Sequence, residues 1–367
     1  MTIVRKVRHA GVRLRGGASL VRVARTAARA YGDSHAAVGR RAMRLRRDGS
    51  FEFAEALTLG LLDPAMSTAV RAIYVSRHVN MRAQLALNGH DEPEVLNEKL
   101  VFQRFCEGIG VPVPRLVAVI DRAGGSWMLP GRALPIGEGG VDLLPPSFIV
   151  KPSGGYEGFG VQLLHRGDGG GLVHHGGRRT TLPELLAELR AHPEFGTWLV
   201  QERIRNHPDV AAIGGADTVH TIRFITLVGR NGRAEVLWTH MRLGISGGPV
   251  DNFRGGALGN VATVVDPETG VLGPSGRMRE NGLGMVESPV IHGTAIRVEG
   301  ARLPHWEAAR ELVLRASPEF LPVRTIGWDI SLAPDGPVVI EANTRWGGTG
   351  IPGMRAVVAR LEEAAGR

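Results

Sequence analysis

The stretch Gly327–Gly347, "GWDISLAPDGPVVIEANTRWG", sets Asp329, Glu341 and Asn343 among strand-forming apolar residues. Two runs of alternating character flank "APDGP", a turn signal, so the segment reads as a β-hairpin. On its second strand Glu341 and Asn343 stand two apart and share a face. With the turn centred on Asp335, Asp329 falls directly across from Glu341. Carboxylates opposed on a sheet repel each other, so something positive belongs between them. A hard cation such as Mg²⁺, which takes oxygens from one or two carboxylates plus substrate phosphates, meets that need. The bland alternative, a solvent-facing edge with tolerated acids, sits badly with the apolar residues on either side.

Working outward, the 367-residue chain has the length for two or three domains, and 43% apolar with 22% charged residues is ordinary for a soluble globular protein. No run of apolar residues is long enough to predict a transmembrane helix. The single cysteine, Cys106, excludes an internal disulfide and fits a reducing, cytoplasmic compartment; in its apolar helical run it reads as inert packing. The net charge of +8 is unevenly spread: residues 1–48 hold thirteen Arg or Lys against Asp33 and Asp48, a net of +11, which leaves −3 for the rest. That arm has no uninterrupted apolar core of a secretory signal. Two readings stand for it: a solvated helical arm packed on the body, favoured on general grounds, or a surface that binds an acidic partner or an anionic membrane at its inner face. Nucleic acid is not expected as a partner, since no aromatic platform accompanies the arginines. Of the 44 basic residues only Lys6, Lys99 and Lys151 are lysine; a coding bias toward arginine fits the general absence, and the two in the body are either chance survivors or places where a compact ammonium serves better than a guanidinium.

Along the chain, residues 1–95 read as helical pieces broken at "RGG", "YGD" and "RRDGS". "LNEKLVFQRFCEGIG" predicts a helix capped by Asn97 and ended by Gly108 or Gly110. Strands follow at "VPVPRLVAVI", near Trp127, at "SFIVKP", "VQLL" and "GTWLVQERI", with a helix at "TTLPELLAEL". From Thr218 the pattern turns to antiparallel strands, "TVHTIRFITLV" and "AEVLWTHMRLG" about a "GRNGR" turn, then a helix at "HWEAARELVLRA" and the hairpin. Helices mixed with mostly antiparallel strands predict an α+β architecture in two lobes. The expected divisions are residues 1–95, basic and helical; 96–200, a first lobe with a glycine-rich loop; and 201–367, a second lobe with the metal site.

"SFIVKPSGGYEGFGV" places Lys151 at a strand's end, followed at once by a glycine-rich loop. Glycines let backbone N–H groups wrap phosphate oxygens while the ammonium adds charge. The order excludes other phosphate loops: no GxxxxGK[ST] occurs, the lysine precedes the glycines, and Gly155, Gly158 and Gly160 give GxxGxG leading into a strand. A plain hairpin turn is the alternative. "WLVQERI" fits either an ordinary buried strand or a connection whose Glu202 and Arg203 backbone groups face a base edge. Arg223 alternates with apolar neighbours on one face with Thr221 and Ile225, which demands an acid partner or a bound anion. Arg242 in "MRLG", and Asn252 and Arg254 in "DNFRGGA", add donors nearby.

The order of these pieces, Lys99 on a helix, "VKP" with its loop, "VQE", an inward arginine and then Asp329 with "EAN", resembles the ATP-grasp superfamily. "HPDV", "HTIRFITL" and "IGWDISLAPDGPVVIEAN" resemble its sugar-transfer associated group, related to glutamate-adding ligases, over about residues 96–355. The resemblance implies ATP between two lobes, with Lys99 and Lys151 on its phosphates and Ser153, Gly154, Gly155, Gly158 and Gly160 closing over them. It implies Gln201, Glu202, Arg203 and Ile204 around the adenine, Asn252 as a further nucleotide contact, and Mg²⁺ (or Mn²⁺) on Asp329, Glu341 and Asn343. Arg223, Arg242 and Arg254 are then the catalytic cations. Implied chemistry is a carboxylate–amine ligase acting through an acylphosphate, on small or saccharide-linked acids and amines of exopolysaccharide or cell-surface synthesis. Its alternatives are an ATP-grasp phosphotransferase, or a non-catalytic nucleotide-binding module docking through the basic arm. Two departures stand out: the first 95 residues are helical where such ligases begin with an α/β domain, and the position near Thr221 is not acidic.

Overall fold

The computed structural model describes residues 16–91, 93–122, 126–129, 132–135, 138–155, 158–215, 218–247, 251, 259–348 and 353–366. Asn252 and Arg254 lie outside the described residues.

From residue 16 on, the described part of the basic region is helical: α1 (Gly16–Tyr31), α2 (His35–Gly49), α3 (Phe53–Thr58), α4 (Thr68–Ile73) and α5 (Arg77–Asn88). The breaks have local causes. Ser34 caps α2 through its side chain, and Ser50 ends it in the left-handed region at φ 56°. Val23, Ala27, Val38, Ala42, Phe53 and Leu61 pack together in a small core of their own. Two short helices follow, α6 (Glu94–Asn97) and α7 (Lys99–Gly108). Here the expected cap is corrected: Glu98, not Asn97, holds the cap position of α7, because its extended backbone bridges to Gly154. Cys106 is fully buried on α7, and burial pushes its thiol up to about 12, which keeps it inert.

Among the described residues the strands form two antiparallel sheets. The first holds β1 (Leu116–Asp121), β2 (Ser126–Leu129), β3 (Arg132–Pro135), β4 (Ser147–Pro152), β5 (Gln162–Arg166), β6 (Leu172–His174), β7 (Arg179–Thr180) and β8 (Thr197–Glu202), in the order β3-β2-β1-β8-β4-β5-β6-β7. Its core packs against α8 (Leu182–Ala191), whose Leu182, Leu185 and Leu189 face Phe148, Val150 and Val200. Thr181 and Glu184 close a capping box there, with Pro183 in the first turn.

The second sheet holds β9 (Thr221–Val228), β10 (Ala234–Leu243), β11 (Val261–Val265), β12 (Leu272–Met278), β13 (Met285–Ser288), β14 (Thr325–Ala333) and β15 (Gly336–Asn343), in the order β13-β12-β11-β10-β9-β14-β15. The helices α9 (Pro208–Gly214), α10 (Trp306–Ala316) and α11 (Met354–Ala365) accompany it. Both faces are covered, but not alike. Ile222, Phe224, Ile326, Trp328 and Ile330 share a core with α7 and α10. The opposite face of β9 packs Ile225 and Leu227 under α5 and α11, while its Thr221 end is open to a cleft. A strand that is buried along its length thereby carries Arg223 toward the site rather than toward solvent. Among the described residues no helix is long and apolar enough to cross a membrane.

Candidate active site

Between the sheets lies a cleft of about 940 Å³, its mouth included. Its lining draws Lys99 and Lys151, Gly155 and Gly158, Gln201, Glu202 and Ile204, Arg242, Asp329 and Glu341 into one space, so most of the sequence-predicted residues converge. Apolar walls come from Ile149, Val161, Val219 and Ile340.

Lys151, next to last on β4, lies opposite Leu199 and is buried. Burial, with Lys99 nearby and Glu341 opposing both, lowers its ammonium to about 8. Lys99 is lowered too, by burial, against the pull of Glu341 and Glu98. Its Nζ donates to Gly155 O at 2.6 Å, its N–H to Ser153 O at 2.9 Å, and Ser153 Oγ donates to Glu98 at 2.9 Å. The start of α7 is in this way stitched to the glycine-rich loop. Gly155 at φ 144° and Gly160 at φ 79° lie against the rings of Pro152 and Phe195, where added Cβ atoms would come to 3.3 and 3.4 Å respectively.

In the connection after β8, the N–H groups of Glu202 and Arg203 donate to Arg115 O and Ser147 O at 3.0 and 3.4 Å. Those donors are spent inside the sheet, and Arg203 does not line the cleft, whereas Gln201, Glu202 and Ile204 do. Gln201 donates to Gln103 at 2.6 Å, tying this strand to α7.

The hairpin brings Asp329 opposite Glu341, though not by simple symmetry. Pairing runs from Ala333↔Gly336 to Ile330↔Val339, a register that would set Asp329 against Ile340. A bulge between Asp329 and Ile330 inserts one extra residue on β15, so Ile340 and Glu341 are successive residues that both line the cleft. Asn343 Nδ2 donates to Glu341 Oε1 at 3.3 Å. The positive charge beside the acids is supplied by arginines. Arg223 Nε and Nη2 reach the two oxygens of Asp329 at 2.5 and 2.8 Å, and Arg242 Nη2 reaches it at 2.9 Å. Burial alone would raise Asp329, yet the two guanidinium groups hold its carboxyl far below the usual range. His240, beside them on β10, is buried and held neutral by burial and by both arginines.

Asp251 is a residue that sequence reasoning missed. It is 6% exposed, lines the cleft, accepts from Thr221 N–H and Oγ1 at 2.8 and 2.6 Å, and lies 3.7 Å from Arg242. Burial raises its carboxyl, partly offset by Arg242. It stands where the position near Thr221 lacks an acid, and its adjacency to "NFRGGA" was the available signal.

An oxygen donor set on a hairpin suits a hard divalent cation. Glu341 and Asn343 lie together and fit that role, while both oxygens of Asp329 are engaged by guanidinium groups. Among the described residues no group of three His, Cys, Asp or Glu is placed to hold a metal ion, the hairpin included.

Two sheets closing on lysines, a glycine-rich loop and an acidic hairpin define a protein of the ATP-grasp fold. The chain belongs to the sugar-transfer associated ATP-grasp family, whose profile matches residues 78–365. Among solved structures it is similar to the D-alanine–D-alanine ligase of Bacillus anthracis complexed with ATP (14% identity, TM-score 0.38, 74% of this chain and 65% of that one). It is also similar to the D-alanine–D-alanine ligase of Helicobacter pylori (11%, TM-score 0.41, 74% and 61%). A third is the N5-carboxyaminoimidazole ribonucleotide synthetase of Thermotoga maritima (10%, TM-score 0.34, 68% and 42%). The chain spans less than two thirds of the length of each. Nothing among curated proteins matches it.

Proposed function

We propose that this chain is an ATP-dependent carboxylate–amine ligase. The observation that carries the reading is the convergence, in one cleft, of the only two lysines outside the amino-terminal arm with the acidic hairpin. Phosphoryl transfer asks a protein for positioning and charge neutralisation rather than covalent chemistry. Lys99 and Lys151 neutralise phosphate oxygens, the glycine-rich loop covers them, and the apolar walls hold a base. Glu341 and Asn343 would hold Mg²⁺ or Mn²⁺, which would neutralise charge on the phosphates, while Asp329, both of its oxygens taken by arginines, fixes the guanidinium groups beside them. Arg242, which lines the cleft, faces the developing charge, and Arg223 stands behind it, outside the lining, where both are pre-set on Asp329. Arg254 and Asn252 belong to this proposal from sequence alone.

In the reaction a substrate carboxylate oxygen bonds to the γ-phosphorus and ADP leaves. The amine nitrogen then bonds to the acyl carbon, inorganic phosphate leaves and the amine's proton is released. The family's sugar-transfer association favours saccharide-linked acids or amines. The test is incubation with ATP, Mg²⁺ and acid–amine pairs of that class, followed by mass analysis. The reading expects an amide with one ADP and one phosphate. A stable phosphorylated product would replace it with a phosphotransferase, and ATP binding without any turnover would leave a nucleotide-binding module.

A further inference from the structure

The cleft leaves the basic arm unused, and the structure sharpens what that arm presents. On α1 the residues facing the small core are Val23, Ala24, Ala27 and Ala28; on α2 they are Val38 and Ala42. The opposite side of α1 exposes Arg22, Arg25 and Arg29, three and four residues apart, and that of α2 exposes Arg40 and Arg44. Beyond a lesser pull of Arg44 on the Asp48 carboxylate that Arg47 holds, none of these five has an acidic partner among the described residues. Their neighbours do: Arg41 pairs with Asp33, Arg46 with Glu52 and Arg47 with Asp48. Like charges stacked on one helix face destabilise it, so the stripes do nothing for folding. Val21 and Met43, 53% and 51% exposed, sit on these same outward sides.

We infer that the outward faces of α1 and α2 adsorb the protein onto an anionic lipid bilayer. The chemistry fits a fluid sheet of negative headgroups. The arginines are spread over two helices rather than gathered into a pocket, and Val21 and Met43 are aliphatic side chains able to settle at headgroup depth. A nucleic acid fits less well. The aromatic residues of the region, Phe51 and Phe53, are buried, and Tyr31 and Tyr74 pack against the same core, so no stacking platform reaches the patch. Because the apolar faces of both helices are consumed in that core, binding is electrostatic adsorption without insertion of a helix, and salt must weaken it.

The experiment is co-sedimentation of the full chain with phosphatidylcholine vesicles, with and without phosphatidylglycerol, at low and high salt. The inference expects pelleting only with the anionic vesicles at low salt. Replacing the five arginines together (R22Q, R25Q, R29Q, R40Q, R44Q) lowers the partition coefficient at least about 100-fold, given roughly 1 kcal/mol for each basic residue near such a surface. The matching set of Arg→Lys replacements retains binding, which separates a charge effect from a folding defect, as does an unchanged thermal transition. Equal binding to neutral vesicles, no binding to anionic ones, or tighter binding to duplex RNA than to anionic vesicles would each overturn it.

Discussion

Replacing Asp329 by Asn tests how far the ion network of the cleft floor holds the second sheet together. The substitution keeps shape and removes charge. It leaves Arg223, now 2.5 and 2.8 Å from an amide, beside Arg242 and the neutral His240, all at a position where Asp329 is 1% exposed. Breaking a buried pair by removing one partner costs about 3–5 kcal/mol, since the surviving charge is left without compensation. At roughly 2–4 °C per kcal/mol, the thermal midpoint followed by circular dichroism should fall by about 6–20 °C. Added salt should rescue little of the loss, because buried charges are poorly screened. Asp48→Asn, which breaks a pair between exposed side chains, should leave the midpoint where it is. A midpoint for Asp329→Asn within about 2 °C of the parent, less than 1 kcal/mol on the same conversion, would refute the reasoning.

Other consequences follow from single positions. Lys151 has a folded value of about 8, below that of free lysine. Below that pH it is charged with or without phosphate; above it the free protein loses a proton that bound phosphate restores. Nucleotide affinity should therefore fall above pH 8, by up to about tenfold per unit for one linked proton, and calorimetry in buffers of different ionisation enthalpy should show proton uptake there. Gly327→Ala would place a Cβ 2.6 Å from Trp346 Cβ and 3.2 Å from Arg223 Cδ. A stability loss of about 1–3 kcal/mol in denaturant titrations is expected from such overpacking.

The hairpin is legible in sequence because its turn is local: Pro334, Asp335 and Gly336 announce it, and alternation does the rest. The facing of Asp329 and Glu341 is legible too, although the route differs. A two-residue turn shifts the register by one and a bulge at Ile340 shifts it back, and nothing local marks that bulge. The arginines read as needing acids or anions, yet which acid Arg223 would find depends on β14 lying beside β9, a contact 106 residues apart. The same holds for Glu98, which takes the cap from Asn97 through a bridge to distant Gly154. Strand β12 escapes notice because "LGPSGRM" carries glycines and a proline where strand residues are expected. Asp251 is hidden for another reason: its partners Thr221 and Arg242 lie on two other strands, and one Asp beside glycines looks like a turn.

The central claim is that one cleft holds a nucleotide's phosphates between Lys99, the buried Lys151 and a cation-binding hairpin. Its most direct test is equilibrium titration with a non-hydrolysable ATP analogue, with and without Mg²⁺, on the parent chain, Lys151→Ala and Glu341→Gln. The account predicts Mg²⁺-enhanced binding to the parent and a loss of about 10–100-fold on removing the lysine's charge-assisted contact. It also predicts binding to Glu341→Gln that no longer responds to Mg²⁺. Parent-like affinity and Mg²⁺ response in both variants would contradict it.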